Sequence, residues 1–239
     1  MLRLLPLVAV LLSPPALAQG GDPVGLELVL LADASGSIDA SERALQRQGY
    51  ADALRDPGVL RAIEEGLWSR IAVTYVEWAE TMDVVVDWTI IEGAGDAEDF
   101  AQRLLAGPSR ARGRNAIGTA LLTGLALIEG NDIDGVRGVI DFSGDSARNF
   151  SGPSPEIARD QVVAAGITIN ALPILRPEEG PAAGLALQQA YLDRIIGGPG
   201  AFMVPAEGRA TFAQAIRRKL ILEIAGEVPD GQRLAGLQD

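Results

Sequence analysis

The chain of 239 residues contains no cysteine and no histidine, and Lys219 is its single lysine. The first two absences exclude disulfides, thiol nucleophiles, Cys/His zinc sites, c-type haem attachment and Ser-His-Asp triads. With one lysine there is no Gly-Lys-Ser/Thr phosphate loop and almost no room for Schiff-base chemistry. A Gly-x-Ser-x-Gly nucleophile elbow is also missing. Basic residues number 20 against 32 acidic ones, a net charge of −12. That balance argues against a nucleic-acid partner, because phosphate binding needs a basic face. What remains is carboxylate, hydroxyl, amide and backbone oxygen beside 19 arginines. Hard-cation binding suits that inventory best. A hydrophobic content of 48% with 22% charged residues is that of a folded globular chain, long enough for one or two domains.

Residues 1–18 open on Met-Leu-Arg, continue through the apolar run 4–12 and end in Ala16-Leu17-Ala18. A basic start, a short apolar stretch and an A-x-A end predict a secretory signal cleaved before Gln19. The run is too short to span a bilayer, and Pro14-Pro15 interrupts it. No later stretch approaches 18 apolar residues. The expectation is an exported protein, periplasmic or extracellular in a bacterium, with no membrane span in the mature chain. Residues 19–239 are expected to form a single domain.

Residues 26–32 form a nearly unbroken apolar run, as in a strand buried on both faces of a parallel sheet. A helix is predicted over 41–54, with Asp39 and Glu42 at the spacing of a capping box. Two strand-like runs follow, 70–78 and 82–91. Three residues between them cannot carry a parallel crossover, so this pair is an antiparallel hairpin. Helices are predicted over 96–105, capped by Asp96, and over 116–128. A strand at 136–142 precedes a helix opened by Ser154-Pro155. A strand at 167–175, a helix at 185–196, a brief strand at 201–204 and a final helix from Thr211 to about 224 complete the chain. The fold class is α/β: a Rossmann-like, doubly wound, mostly parallel sheet with one antiparallel edge hairpin strand and helices on both faces.

In such a sheet, ligands bind outside the carboxyl ends of the strands. The first strand ends in Asp33-Ala34-Ser35-Gly36-Ser37, where three oxygen-bearing side chains at alternate positions can converge on one point. Two hydroxyls and one carboxylate suit Mg²⁺, which takes oxygen ligands and keeps several waters. The competing reading makes Asp33 an Asx turn and the serines ordinary turn residues.

These residues and the element order make the chain resemble a von Willebrand factor type A domain, over essentially the whole mature length. It is most similar to a secreted bacterial branch of that superfamily. There, Asp-x-Ser-x-Ser begins a metal-ion-dependent adhesion site, completed by a threonine from a second loop and an aspartate from a third. The resemblance implies a divalent cation, Mg²⁺ or else Mn²⁺ or Ca²⁺, held by Asp33, Ser35 and Ser37. The threonine position falls on Asn115, whose amide oxygen could replace the hydroxyl; a helix N-cap is its competing role. Thr119 lies a turn further along and points away. The third loop reads Ser143-Gly144-Asp145-Ser146, one residue displaced from the usual Thr-Asp-Gly. Asp145 is the assigned carboxylate. Asp141, inside a buried strand, is the second candidate and of interest as a supporting group, because a buried carboxylate needs a partner.

Trp78 and Trp88 read as packing residues, Arg217-Arg218-Lys219 as a solvated helix end, and Arg110, Arg112 and Arg114 as a solvated loop flanking the site. The function implied is a non-enzymatic binding module that grips an acidic side chain of a protein partner through the cation. One alternative keeps the fold without the metal. Another is an Asp33-nucleophile phosphatase, which calls for an aspartate where Ser35 stands and a lysine near the phosphate.

Overall fold

The computed structural model describes residues 23–227, so the expected signal at 1–18 lies outside the described residues. Strand β1 (Leu26–Asp33) is buried at all eight positions, as its apolar run requires. It pairs in parallel with β2 (Ile71–Trp78) on one side and β4 (Gly138–Gly144) on the other. With β3 (Met82–Ile91), β5 (Thr168–Leu175) and β6 (Ala206–Glu207), the sheet order is β3-β2-β1-β4-β5-β6. Only β3 runs antiparallel among the described strands. Its hairpin with β2 turns in the three residues 79–81. Strand order reverses between β1 and β4, which places a crevice above Asp33 and Gly144.

Side-chain alternation along β1 splits the core in two. Leu26, Leu28 and Leu30 face α1 (Ala40–Leu54), α2 (Pro57–Glu65), α3 (Ala94–Ala106) and α7 (Arg209–Ala225). Val29 and Leu31 face α4 (Ile117–Glu129), α5 (Pro155–Ala164) and α6 (Pro181–Arg194). Each fully buried leucine contributes roughly 1.5–3 kcal/mol, so β1 anchors both layers.

The capping box of α1 forms as predicted: Glu42 N donates to Asp39 Oδ1 (2.8 Å) and Asp39 N to Glu42 Oε2 (2.9 Å). Ser154 caps α5 ahead of Pro155. Several expectations need correction. Helix α3 starts at Ala94 behind Gly93, and Asp96 instead accepts from Glu92 N at 3.0 Å. The expected strand at 201–204 reduces to one bridge, Met203 to Ala171, because Pro205 lacks the N–H to extend the ladder. The sixth strand is 206–207. Helix α7 begins at Arg209 after Gly208, whose φ of 80° suits glycine, and not at Thr211. Helix α2 was not anticipated, although Asp56 caps it and Pro57 opens it. Lys219 is no solvated end: it lies mid-helix and fully buried.

Candidate functional site

The loop after β1 turns directly above the sheet. Asp33 is fully buried, and its Oδ1 accepts from Ser35 N at 2.8 Å, the Asx turn of the competing reading. Gln46 of α1 holds the Asp33 carbonyl at 2.8 Å. Ser35, also fully buried, lies with its hydroxyl 3.2 Å from that of Ser37. Ser37 Oγ donates to Asp145 Oδ1 at 3.0 Å, joining the first loop to the third. Asp33, Ser35, Ser37 and Asp145 therefore lie together in one linked set of contacts.

Asp33 Oδ2 is buried with no hydrogen-bond partner. Burial pushes the Asp33 carboxyl up to about 7, with repulsion from Asp145 adding to it and the Ser35 amide opposing. Gly144 makes this packing possible: a Cβ there would lie 3.0 Å from both Asp33 Oδ2 and Trp78 Cζ2. Trp78 is a packing residue, as expected, stacked on Phe142 at 4.9 Å with its indole N–H donating to Ser143 O at 3.0 Å.

The second loop reaches the site through a chain of anchors. Arg47 Nε donates to Glu77 Oε1 at 2.7 Å, both buried, while the same guanidinium holds the Gly107 and Pro108 carbonyls. Ser109 Oγ donates to the other Glu77 oxygen at 2.5 Å. Asp83 then accepts from Arg110 N at 2.8 Å, and Thr81 Oγ1 from Arg112 N at 2.9 Å. These pin 107–112 to the β2–β3 hairpin, and Gly36 N donates to Gly113 O at 3.0 Å. Asn115 is delivered, largely buried, to the wall of an open cleft shared with Ser37 and Asp145. It is not an N-cap: Ala116 holds that position and the cap has no side-chain hydrogen bond. Thr119 faces Gly152, away from the cleft.

The cleft, about 720 Å³, carries Arg114, Arg148 and Arg176 on its wall together with Glu178 and Glu179. Arg114 stacks over Phe150 at 3.6 Å. Sequence reading missed Arg176, which follows β5 and reaches over the site. Its Nε and Nη2 donate to Asp145 Oδ2 at 3.1 and 2.7 Å, Nη1 to Glu42 Oε1 at 3.1 Å, and Nη2 to Ser37 O at 3.1 Å. The Asp145 contact raises the Arg176 pKa further. Only its place at a strand's carboxyl end could have signalled this role.

Asp141 stays apart. Its side chain lies 2.7 Å from Lys219 on the face of the sheet opposite Asp33, by alternation across the β1–β4 register, and it sits inside β4, four residues before Asp145, which lies beyond the strand's end. Lys219 is likewise on the far side of the sheet from Asp33, away from where the phosphatase reading calls for its lysine. Among the described residues no three acidic side chains gather as a metal cluster. The donor set is two carboxylates, two hydroxyls and an amide, and the buried unpartnered Asp33 oxygen fits a cation of oxygen preference.

Sheet order, crevice and loop set define a von Willebrand factor type A fold, and solved structures agree. The chain resembles proximal thread matrix protein 1 from the mussel byssus with a zinc-occupied MIDAS motif (16% identity, TM-score 0.59). That likeness covers 84% of this chain and 46% of the other. It also resembles the von Willebrand factor type A protein from Catenulispora acidiphila (15%, TM-score 0.52, 84% and 43%). A third likeness is to the vWF domain of the type V pili tip protein Mfa5 from Porphyromonas gingivalis (9%, TM-score 0.53, 87% and 98%). The chain thus spans less than half the length of the mussel protein. Residues 23–228 match the family described as protein of unknown function (DUF1194), and the chain belongs to that family. No curated protein matches it. No described helix is long and apolar enough to cross a membrane.

Proposed function

We propose that the protein is an exported, non-enzymatic binding module that uses a divalent cation, Mg²⁺ with Mn²⁺ or Ca²⁺ as substitutes, to grip an acidic side chain of a protein partner. The observation that carries this reading is the convergence of Asp33, Ser35, Ser37 and Asp145, with one Asp33 oxygen buried and unpartnered. Asp33, Ser35, Ser37, Asn115 and Asp145 would hold the ion. The cation supplies Lewis-acid attraction for an incoming carboxylate.

The chain's own residues do the rest. Arg176 holds Asp145 Oδ2 and leaves Oδ1 toward Ser37. Arg114 and Arg148 place guanidinium groups on the cleft wall, beside Glu178 and Glu179 on the same wall, where they can pair with an incoming carboxylate. With histidine absent, the usual general base for hydrolysis is not available. The zinc-occupied motif of the mussel protein supports metal use by the same fold.

A second reading rests on Arg176. A guanidinium already balances Asp145, so the domain could take a carboxylate on its arginines without a metal. Peptides bearing one Asp or Glu, compared with Asn and Gln counterparts, separate the two readings on the immobilised protein. Retention of the acidic peptides in Mn²⁺, with release by EDTA, is expected. Retention that EDTA leaves intact favours the arginine reading, and no preference for acid overturns both.

A further inference from the structure

The one lysine of the chain is buried in an unusual setting. Lys219 Nζ lies 2.7 Å from Asp141 Oδ1 of β4 and in direct contact with Glu223 Oε1, one turn further along α7. Asn170 of β5 donates to the same Glu223 oxygen at 3.0 Å, and its own carbonyl accepts from Phe202 N at 3.0 Å. None of these four side chains belongs to a residue more than 2% exposed. The interior around them is buried, with Leu172, Phe202 and Leu220 in the same core layer and the buried Tyr50 hydroxyl beside Asp141. The Phe202 ring centroid is 6.0 Å from Nζ.

As a stabilising device this cluster is poor. Two carboxylates and one ammonium leave the water together, at several kcal/mol of desolvation per ion, where packed apolar side chains cost nothing comparable. The Asp141–Lys219 contact is an ion pair without well-aligned hydrogen bonds: both Asp141 oxygens and Glu223 Oε2 lack one. What the arrangement does have is the set of parts for forming an amide. An amine touches a carboxyl carbon's own oxygen, and a second carboxyl touches the amine.

We propose that Lys219 and Asp141 condense into an intramolecular isopeptide bond joining α7 to β4, with Glu223 as the catalytic proton carrier. The reaction starts from protonated Asp141, Lys219 ammonium and Glu223 carboxylate, a neutral set. Burial raises the pKa of both carboxyls, Glu223 to about 7, which favours one shared proton in the cluster. Glu223 takes a proton from the ammonium, and the free amine attacks Asp141 Cγ to form the C–N bond. Glu223 then protonates the departing hydroxyl, the Cγ–O bond breaks, and water leaves. The remaining N–H proton passes to Glu223, so the products are a neutral amide, one water and a protonated Glu223. No oxidant, reductant or activated co-reactant enters. Fixed contact replaces a bimolecular encounter, and the apolar core keeps water from reversing the step. The bond would anchor β4 four residues before Asp145 and so fix the third loop of the site.

Intact mass of the purified, folded protein, read under denaturing conditions, tests this without any variant. The expected mass is one water below that calculated from its determined termini, with a branched proteolytic peptide joining the segments around 141 and 219. Asp141→Asn should shift the loss to one ammonia, and Glu223→Gln should restore the full calculated mass in a chain whose circular dichroism stays native. A folded wild-type protein at its full calculated mass overturns the proposal and leaves an ion cluster only. Loss of ammonia from wild type, with a branch at Asn170, overturns the assignment to Asp141.

Discussion

In EDTA, the protein is expected to lose stability as pH rises from about 4 to about 8, and Asp33→Asn is expected to remove the Asp33 share of that decline, leaving the share of Glu223. The folded state raises the Asp33 carboxyl from its ordinary 3.8 to about 7. A carboxyl whose pKa is raised binds its proton more tightly in the folded than in the unfolded chain. Its contribution is therefore fully present below the unfolded pKa and is lost as pH climbs through the folded one. At about 1.4 kcal/mol per unit, the lost stability is on the order of a few kcal/mol. Urea denaturation at a series of pH values, wild type beside Asp33→Asn, isolates the part due to this group. A divalent cation should restore wild-type stability at pH 8 and leave the variant unchanged. Parallel pH profiles for the two proteins would contradict the burial of a charge at this position.

The second large effect is expected at a residue that touches no ligand. Arg47→Ala should destabilise the fold by about 3–5 kcal/mol, because it leaves Glu77 buried and unpaired. It also removes the donors that hold the Gly107 and Pro108 carbonyls, so the loop carrying Asn115 loses its first anchor. Replacing both partners, as in Arg47→Met with Glu77→Leu, should recover most of the stability. It should not recover the loop, since Ser109 then has no Glu77 oxygen to meet. Chemical denaturation measures the first effect, and hydrogen exchange over 107–115 the second. Equal destabilisation by the single and double variants would show that the buried pair is not what matters.

The sheet was legible because its signals are local. An apolar run marks a strand covered on both faces, three residues can only make a hairpin, and Asp39/Glu42 and Ser154/Pro155 mark helix starts. The first-loop residues and Asp145 were legible for a related reason: both sit at the carboxyl ends of readable parallel strands. What escaped depends on residues distant in sequence. Arg176 joins Asp145, Glu42 and Ser37 across three elements, and nothing in its neighbours announces that. The charge run 217–219 points to a solvated helix end, but the helical period places Lys219 inside. Phe212, Ile216, Leu220 and Ile224 mark the buried stripe of α7, and Lys219 and Glu223 lie on it. Their shared stripe was a signal that a helical count could have caught. Helix α2 carries its own local signal, a proline at its first position behind the capping Asp56.

The most direct test of the account is calorimetric titration of the folded protein with Mg²⁺, Mn²⁺ and Ca²⁺, beside Asp33→Ala. Saturable binding of about one ion per chain, lost in the variant, is the predicted result, since the proposed site draws all its ligands from one protomer. No binding of any of the three ions at millimolar concentration, or binding that Asp33→Ala leaves unchanged, would contradict a cation at this site.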